Sequence, residues 1–161
     1  MSILPRVSTI VLDTADITDG DINNHRTEFT FRNIDFDRVL GDEWREYDLF
    51  NLVLVSSVFD IHDNIPTTSV PEIRLTGPPF ADVDVRANGI RNEVSVCTVN
   101  LTGIATTPNI VSYQGPHQWT LKRDDENLFN FKFRLVDSAT NDTASGSFPR
   151  QMYVFKLYRV A

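Results

Sequence analysis

The chain has a single cysteine, few glycines and no long hydrophobic run, and these shortages narrow the class of protein. Cys97 alone cannot form an intramolecular disulfide, so the fold does not depend on an oxidising compartment. Its neighbours Val96 and Val99 predict a buried structural thiol rather than a reactive one. The longest apolar run, at 52–55, is far too short to cross a bilayer, and we expect no membrane span.

Positive charge is also scarce. The sequence has 15 lysines and arginines against 22 aspartates and glutamates, which gives a formal net charge of −7. Sequence-independent binding to nucleic acid needs a surplus of cations that displaces counterions from phosphates, so we expect no nucleic-acid partner. Residues 1–13 lack the long apolar core of a secretory signal, and none is expected.

Several stretches alternate between apolar and polar residues. In NLFNFKFRLVD, residues 127–137, every second residue from Phe129 to Leu135 is apolar, which predicts a strand with one face in the core. Further β-rich runs are 7–13, 27–33, 72–77, 93–101, 152–160 and 117–123, the last expected to pair through DDEN with 127–137. Turn-forming residues are concentrated at 16–25, 62–71, 76–92, 107–116 and 138–149.

One segment, near residues 35–47, has a helical pattern instead. Asn33 or Asp35 can cap its start, and Gly41 can end its first turn in a left-handed conformation. The apolar residues at helical spacing are Phe36, Val39 and Leu40, followed by Trp44 and Tyr47 in a second short turn. The segment leads into an apolar strand at 49–59, in which we expect Phe50 and Leu52 to be core residues.

Roughly seven or eight strands with one short helical segment predict a single all-β domain over residues 1–161, an antiparallel β-sandwich. A jelly-roll-like arrangement suits the strand number and the long connections best. An immunoglobulin-like sandwich remains open.

The first candidate for a site is an acidic loop whose carboxylates are Asp13, Asp16, Asp19 and Asp21. Several carboxylate oxygens from one loop are what calcium requires. The spacing differs from the EF-hand pattern, however, and a solvated turn in which aspartate caps backbone amides is the favoured interpretation. We therefore expect no bound metal.

Catalytic chemistry has little support in the sequence. The three histidines lie far apart in predicted loops, at His25, His62 and His117. The chain contains no Gly-x-Ser-x-Gly elbow and no glycine-rich loop that could hold a phosphate. We expect a protein that is not an enzyme, with no catalytic residue and no cofactor.

Aromatic residues suggest an alternative. Four of them lie in or beside predicted connections: Trp44, Tyr47, Tyr113 and Trp119. Exposed rings of this kind stack on sugars, so a carbohydrate-binding or receptor-binding module is the second function that the sequence allows. The competing interpretation is that the rings seal the ends of the sandwich.

The segment FRNIDFDRVLGDEWREYDLFNLVLVSSV, residues 31–58, resembles a segment of small capsid proteins of large DNA viruses of algae. There an Ile-Asp-Leu stretch leads through a Leu-Leu-Gly-Asp turn to Phe-Asn-Leu at the start of a long strand. The matching residues are Ile34, Asp35, Leu40, Gly41, Asp42, Tyr47, Phe50, Asn51 and Leu52. LTGPPF at 75–80 and FPRQMYVFKLYRV at 148–160 resemble two further motifs of those proteins in the same order.

This resemblance implies a minor capsid protein with a jelly-roll-like sandwich, which binds and stabilises capsomers in the icosahedral shell of a double-stranded DNA virus. Its partners would be the major capsid protein and other minor capsid proteins. It would be made in the host cytoplasm and reside in the virion. Whether the chain also forms a homo-oligomer stays open.

Overall fold

The computed structural model describes residues 7–41, 44, 46–62, 71–81, 84–86, 89–91, 93–98, 109–137, 142–143 and 147–160. In chain order its strands are β1 (Val7–Asp13), β2 (Glu28–Asp35), β3 (Leu49–His62), β4 (Pro71–Thr76), β5 (Asp84–Arg86), β6 (Gly89–Arg91), β7 (Val94–Thr98), β8 (Asn109–Lys122), β9 (Leu128–Asp137) and β10 (Ser147–Arg159). One short helix, α1 (Phe36–Leu40), joins β2 to the segment before β3. A 3-10 turn, Thr14–Asp16, follows β1.

The strand order is that of a jelly roll. Sheet I has the order β1-β10-β3-β8, sheet II has the order β2-β9-β4-β7, and β5 and β6 form a separate hairpin. The antiparallel pairs β1–β10, β2–β9, β3–β8 and β4–β7 are nested, as in one long hairpin that is wrapped over two sheets. The predicted antiparallel, jelly-roll-like sandwich is therefore confirmed, and the immunoglobulin-like order is not the one observed.

The core lies between the two sheets and is rich in aromatic rings. The ring of Phe133 in β9 lies 4.6 Å from that of Tyr153 and 6.4 Å from that of Phe155, both in β10, measured between centroids. Phe50 and Leu52 of β3 are buried, as the sequence predicted. Alternation in the two long strands thus brings large side chains together across the sandwich, where they bury apolar area and stack.

The predicted helical segment is confirmed at α1. The Asp35 side chain accepts a hydrogen bond from the Asp37 backbone N–H at 2.9 Å, which caps the first turn. Gly41 ends the helix with a φ of 82°, a conformation that glycine adopts without strain. A further turn follows, in which the N–H of Trp44 donates to the carbonyl of Gly41.

This segment closes one end of the sandwich with buried rings. The ring of Trp44 is 5.8 Å from that of Phe36 and 5.8 Å from that of Phe50. The Trp44 indole N–H donates to the Asp37 carboxylate, so its polar atom is satisfied although the side chain is buried. The guanidinium carbon of Arg159 lies over the ring of Tyr47, 4.4 Å from the centroid of that ring. The helical turn therefore attaches β3 to the sandwich at its first residues.

One predicted pairing is wrong. Residues 117–123 were expected to form a hairpin with 127–137, but β8 and β9 belong to different sheets. The DDEN stretch crosses from sheet I to sheet II, and β8 pairs with β3 instead. A short polar connection fits either a hairpin or a crossing between sheets, so local sequence does not distinguish them.

The stretch 107–116 is predicted to be a connection, and this prediction is also wrong, because β8 begins at Asn109. In the register with β3, His117 pairs with Leu54 and Gln114 pairs with Ser56. Gly115 and Pro116 therefore lie together at a register shift. A bulge tolerates proline, which has no N–H to give to the ladder.

Candidate interaction surfaces

The acidic loop is held by arginines from other elements. Asp13 accepts a hydrogen bond from the Arg150 guanidinium at 2.7 Å and another from the backbone N–H of Ala15 at 3.0 Å. The hydrogen bond from Arg150 keeps the pKa of Asp13 below its usual value, although partial burial opposes this. Asp21 forms an ion pair with Arg32 at 2.8 Å.

Two of the four carboxylates are thus occupied by ion pairs with arginines. Asp13 and Asp21 each face a different arginine, while Asp16 and Asp19 are exposed. Within the described ranges, no group of three or more histidine, cysteine, aspartate or glutamate side chains could hold a metal ion. The capping by Asp13 confirms the turn interpretation for that residue.

The histidines and the cysteine remain apart. His25 lies in a turn, whereas His62 and His117 lie in strands rather than in the predicted loops. Cys97 is buried in β7 and contacts Ser57 of β3, with their Sγ and Oγ 4.0 Å apart. Burial raises the pKa of the Cys97 thiol to about 12, which confirms the predicted structural thiol.

The aromatic residues proposed for sugar stacking fall mainly in the core. Trp44 is 2% exposed and Trp119 is 9% exposed, so neither presents a ring face to a ligand. Tyr47 is half-buried beneath Arg159. The side chain of Tyr113 lies outside the described residues. For both tryptophans, the interpretation as seals of the sandwich is confirmed.

A buried group of charges was not predicted from the sequence. Arg74 of β4 is 1% exposed and forms ion pairs with Glu72 at 3.1 Å and Glu93 at 3.3 Å. Arg134 of β9 adds a contact to Glu93 at 2.7 Å. Because Arg74 alternates with the inward Ile73 and Leu75, it lies on the face of sheet II turned away from sheet I. The alternation of residues in β4 places Arg74 on this outer face of sheet II. No nearby sequence pattern indicates that other residues cover the face.

The outer face of sheet I has little charge. One row of outward residues runs across the four strands: Thr9, Lys156, Val53 and Gln118. Val11 and Val154 lie in the neighbouring row on one side, and Tyr158 lies in the neighbouring row on the other side. Lys156 is the one charged side chain near the centre of this face among the residues that the structure describes. The cores of protein interfaces are depleted of charge in the same way.

A shallow groove runs along the outer edge of β1. Two contiguous depressions of about 330 and 410 Å³ share Val11, Leu12 and Ile34 in their walls. One extends to Asp16 in the acidic loop, and the other extends to Arg38 in α1. The groove therefore lies between the edge strands of the two sheets, with an excess of aspartates at the end near Asp16 and one aspartate and one arginine at the end near Arg38.

None of the helices described in the structure is long and apolar enough to cross a membrane. A scan of the sequence against models of protein families finds no match, and a search of curated proteins finds no significant relative.

Proposed function

We propose that the chain is a minor capsid protein, a structural virion component that binds and stabilises capsomers of the major capsid protein in the icosahedral shell of a double-stranded DNA virus. The observation that carries the proposal is the jelly-roll order of the two sheets. The resemblance of residues 31–58 to small capsid proteins implies this fold.

Apart from Asp42, which lies outside the described residues, the residues of that resemblance lie in consecutive elements of the structure. Ile34 and Asp35 end β2, Leu40 and Gly41 end α1, and Leu52 lies in the first half of β3. They form a continuous end of the sandwich that holds two strands from different sheets. A motif with this architectural role supports a shared fold and is consistent with a protein that works by packing against others.

The outer face of sheet I is the surface we assign to the capsid contact. It is broad, built from four strands, and has few charges that would need to lose water on binding. Val53 and Val154 lie half-buried on it, and Val11 is 56% exposed. The valines are interspersed with uncharged polar residues such as Ser56 and Gln118, a composition that fits a surface that meets another protein.

The direct test is quantitative mass spectrometry of purified virus particles from the source culture. We expect a fixed copy ratio of this chain to the major capsid protein that survives washing with salt. Absence of the chain from washed particles would overturn the proposal and would turn the search to glycan and receptor ligands.

A binding experiment tests the assigned surface. Recombinant Val154→Asp should bind purified major capsid protein more weakly than the unmodified chain, because it places a charge at the centre of the apolar face. Leu128→Asp is the matched control, since Leu128 is 46% exposed and lies in sheet II. Equal binding by the two variants would argue against this face.

A further inference from the structure

The outer edge of β1 offers unpaired backbone groups. β1 lies at the end of sheet I and pairs with β10 on one side only. On its other side, the one hydrogen bond to a described residue is from the Ser8 hydroxyl to the Val39 carbonyl. Between Thr9 and Asp13, the groove described above lies along this edge, and no backbone–backbone hydrogen bond joins the edge to another described residue. An edge of this kind can pair with another strand.

Two other edges of the sandwich are covered by the chain itself. Along β2, Thr30 N–H donates to the Asp21 carbonyl at 2.8 Å and Asn23 N–H donates to the Glu28 carbonyl at 3.1 Å. Along β8, Lys122 N–H donates to the Pro79 carbonyl at 2.8 Å. Short segments thus occupy both edges, as proteins commonly protect their sheets.

The sequence of β1 has none of the usual devices against edge pairing. VSTIVLD contains no proline and no lysine, and its first charge is Asp13 at the end of the strand. β-branched residues predominate, which favours extended pairing. Within the described residues, β1 therefore differs from β2 and β8 in having an edge that can accept a partner strand.

We propose that this partner is β1 of a second copy, paired antiparallel about a twofold axis at Val11, so that Thr9 of each copy faces Asp13 of the other. The dimer would join two copies of sheet I into one continuous sheet. This proposal does not depend on the capsid function. The self-complementary interface of a twofold dimer needs one patch that fits itself.

The charges at the ends of the groove favour this arrangement. The Asp13 end has three aspartates and one arginine in its walls, and Asp16 is exposed there, whereas the Thr9 end has the exposed Arg38 together with its ion-pair partner Asp35. Antiparallel pairing brings the Arg38 end of one copy to the Asp16 end of the other, twice. A parallel arrangement would bring like ends together, which electrostatic complementarity disfavours.

Sedimentation of the purified chain between about 1 and 100 μM tests the proposal in the affinity range of weak interfaces. We expect a monomer–dimer equilibrium. Val11→Lys should raise the dissociation constant about tenfold or more, because it places like charges opposite each other on the axis. Val160→Lys is the control, since Val160 is 50% exposed outside β1. The proposal is overturned if the chain is a monomer at every concentration, or if Val11→Lys leaves the dissociation constant of the dimer unchanged.

The register has a separate test at Thr9, which is exposed and therefore tolerant of charge. Thr9→Lys should tighten the dimer about threefold by facing Asp13 of the second copy, and Thr9→Glu should weaken it by a similar factor. Thermal melts of both variants check that the fold is intact. Equal dissociation constants for Thr9→Lys and Thr9→Glu overturn the register.

Discussion

Among single residues, Gly77 has the most restricted surroundings. It follows β4 with a φ of +109°, a conformation that other residues rarely adopt. A Cβ built on Gly77 would lie 1.6 Å from the backbone carbonyl oxygen of Asn130 in β9. The close approach of two backbones therefore requires glycine here for steric reasons as well as for its dihedral angle.

Replacing Gly77 by alanine should destabilise the fold by at least about 1–3 kcal/mol, the cost of a strained backbone, with the displacement of Asn130 in addition. Gly20→Ala is the matched control. Gly20 has a φ of +104°, but a Cβ there would meet nothing within 4 Å. The free energy of unfolding measured by chemical denaturation should be clearly lower for Gly77→Ala than for Gly20→Ala. Equal losses of stability in the two variants would contradict the steric argument.

Leu52 tests the placement of β3 in the core. Its side chain is fully buried, so Leu52→Ala should lower the free energy of unfolding by about 2–5 kcal/mol through lost burial and a residual cavity. Val53, the next residue, faces outward and is half-buried, and Val53→Ala should cost about 1 kcal/mol. An unchanged melting temperature in Leu52→Ala would contradict the placement.

At the scale of elements, the buried charges join β4 to its neighbours. Arg74 in β4 contacts Glu93 next to β7, and Glu93 also contacts Arg134 in β9. Removing water from charges is costly, so such a group is stable only while each charge keeps a partner. Arg74 contacts both glutamates, whereas Arg134 contacts Glu93 alone among the ion pairs of this group.

Arg74→Ala should therefore destabilise the fold by about 3–5 kcal/mol, the usual cost of removing one partner from a buried ion pair. Arg134→Ala should cost clearly less, because the Arg134 side chain is 27% exposed and Glu93 keeps its contact with Arg74. Urea denaturation of both variants measures the difference. Similar losses for the two arginines would show that the pairs are not coupled through Arg74.

At the scale of the whole molecule, Cys97 reports whether the two sheets stay together. It belongs to sheet II, it contacts Ser57 in sheet I, and its thiol is buried with a raised pKa. The thiolate is the reactive form, so neither access nor ionisation favours reaction in the folded state.

A thiol reagent should accordingly label Cys97 slowly in native buffer near pH 8 and rapidly in denaturant. Leu52→Ala should increase the rate at which Cys97 is labelled in native buffer, because it increases the fraction of molecules that are transiently unfolded. The control is the free thiol of glutathione under the same conditions. Rapid labelling that Leu52→Ala leaves unchanged would place Cys97 at the surface.

The covering of sheet edges is also a property of the whole molecule. Residues 79–81 reach the edge of β8 from a distant part of the sequence, whereas residues 21–23 pair with β2, which follows them closely in the chain. Neither segment has a strand pattern of its own. The open edge of β1 was for this reason visible only in the structure, although the sequence of β1 was predicted as a strand with the bounds it has.

The sequence by itself determined the local elements. Alternation predicted which residues of β9 face the core, and the Asp35 cap and Gly41 predicted the ends of α1. Burial of Cys97 followed from its neighbours. These features depend on periodicity, on side-chain hydrogen bonds to nearby amides and on backbone dihedral angles, which act over a few residues.

Only the tertiary structure decided which strands pair, that β8 runs through Gly115 and Pro116, and that Arg74 is buried on an outer face. Each of these outcomes depends on residues distant in sequence. A bulge needs a partner strand in a particular register, and a covered charge needs both its counterions and its cover in place. Local patterns do not contain that information, because long-range pairing selects among connections that look alike in sequence.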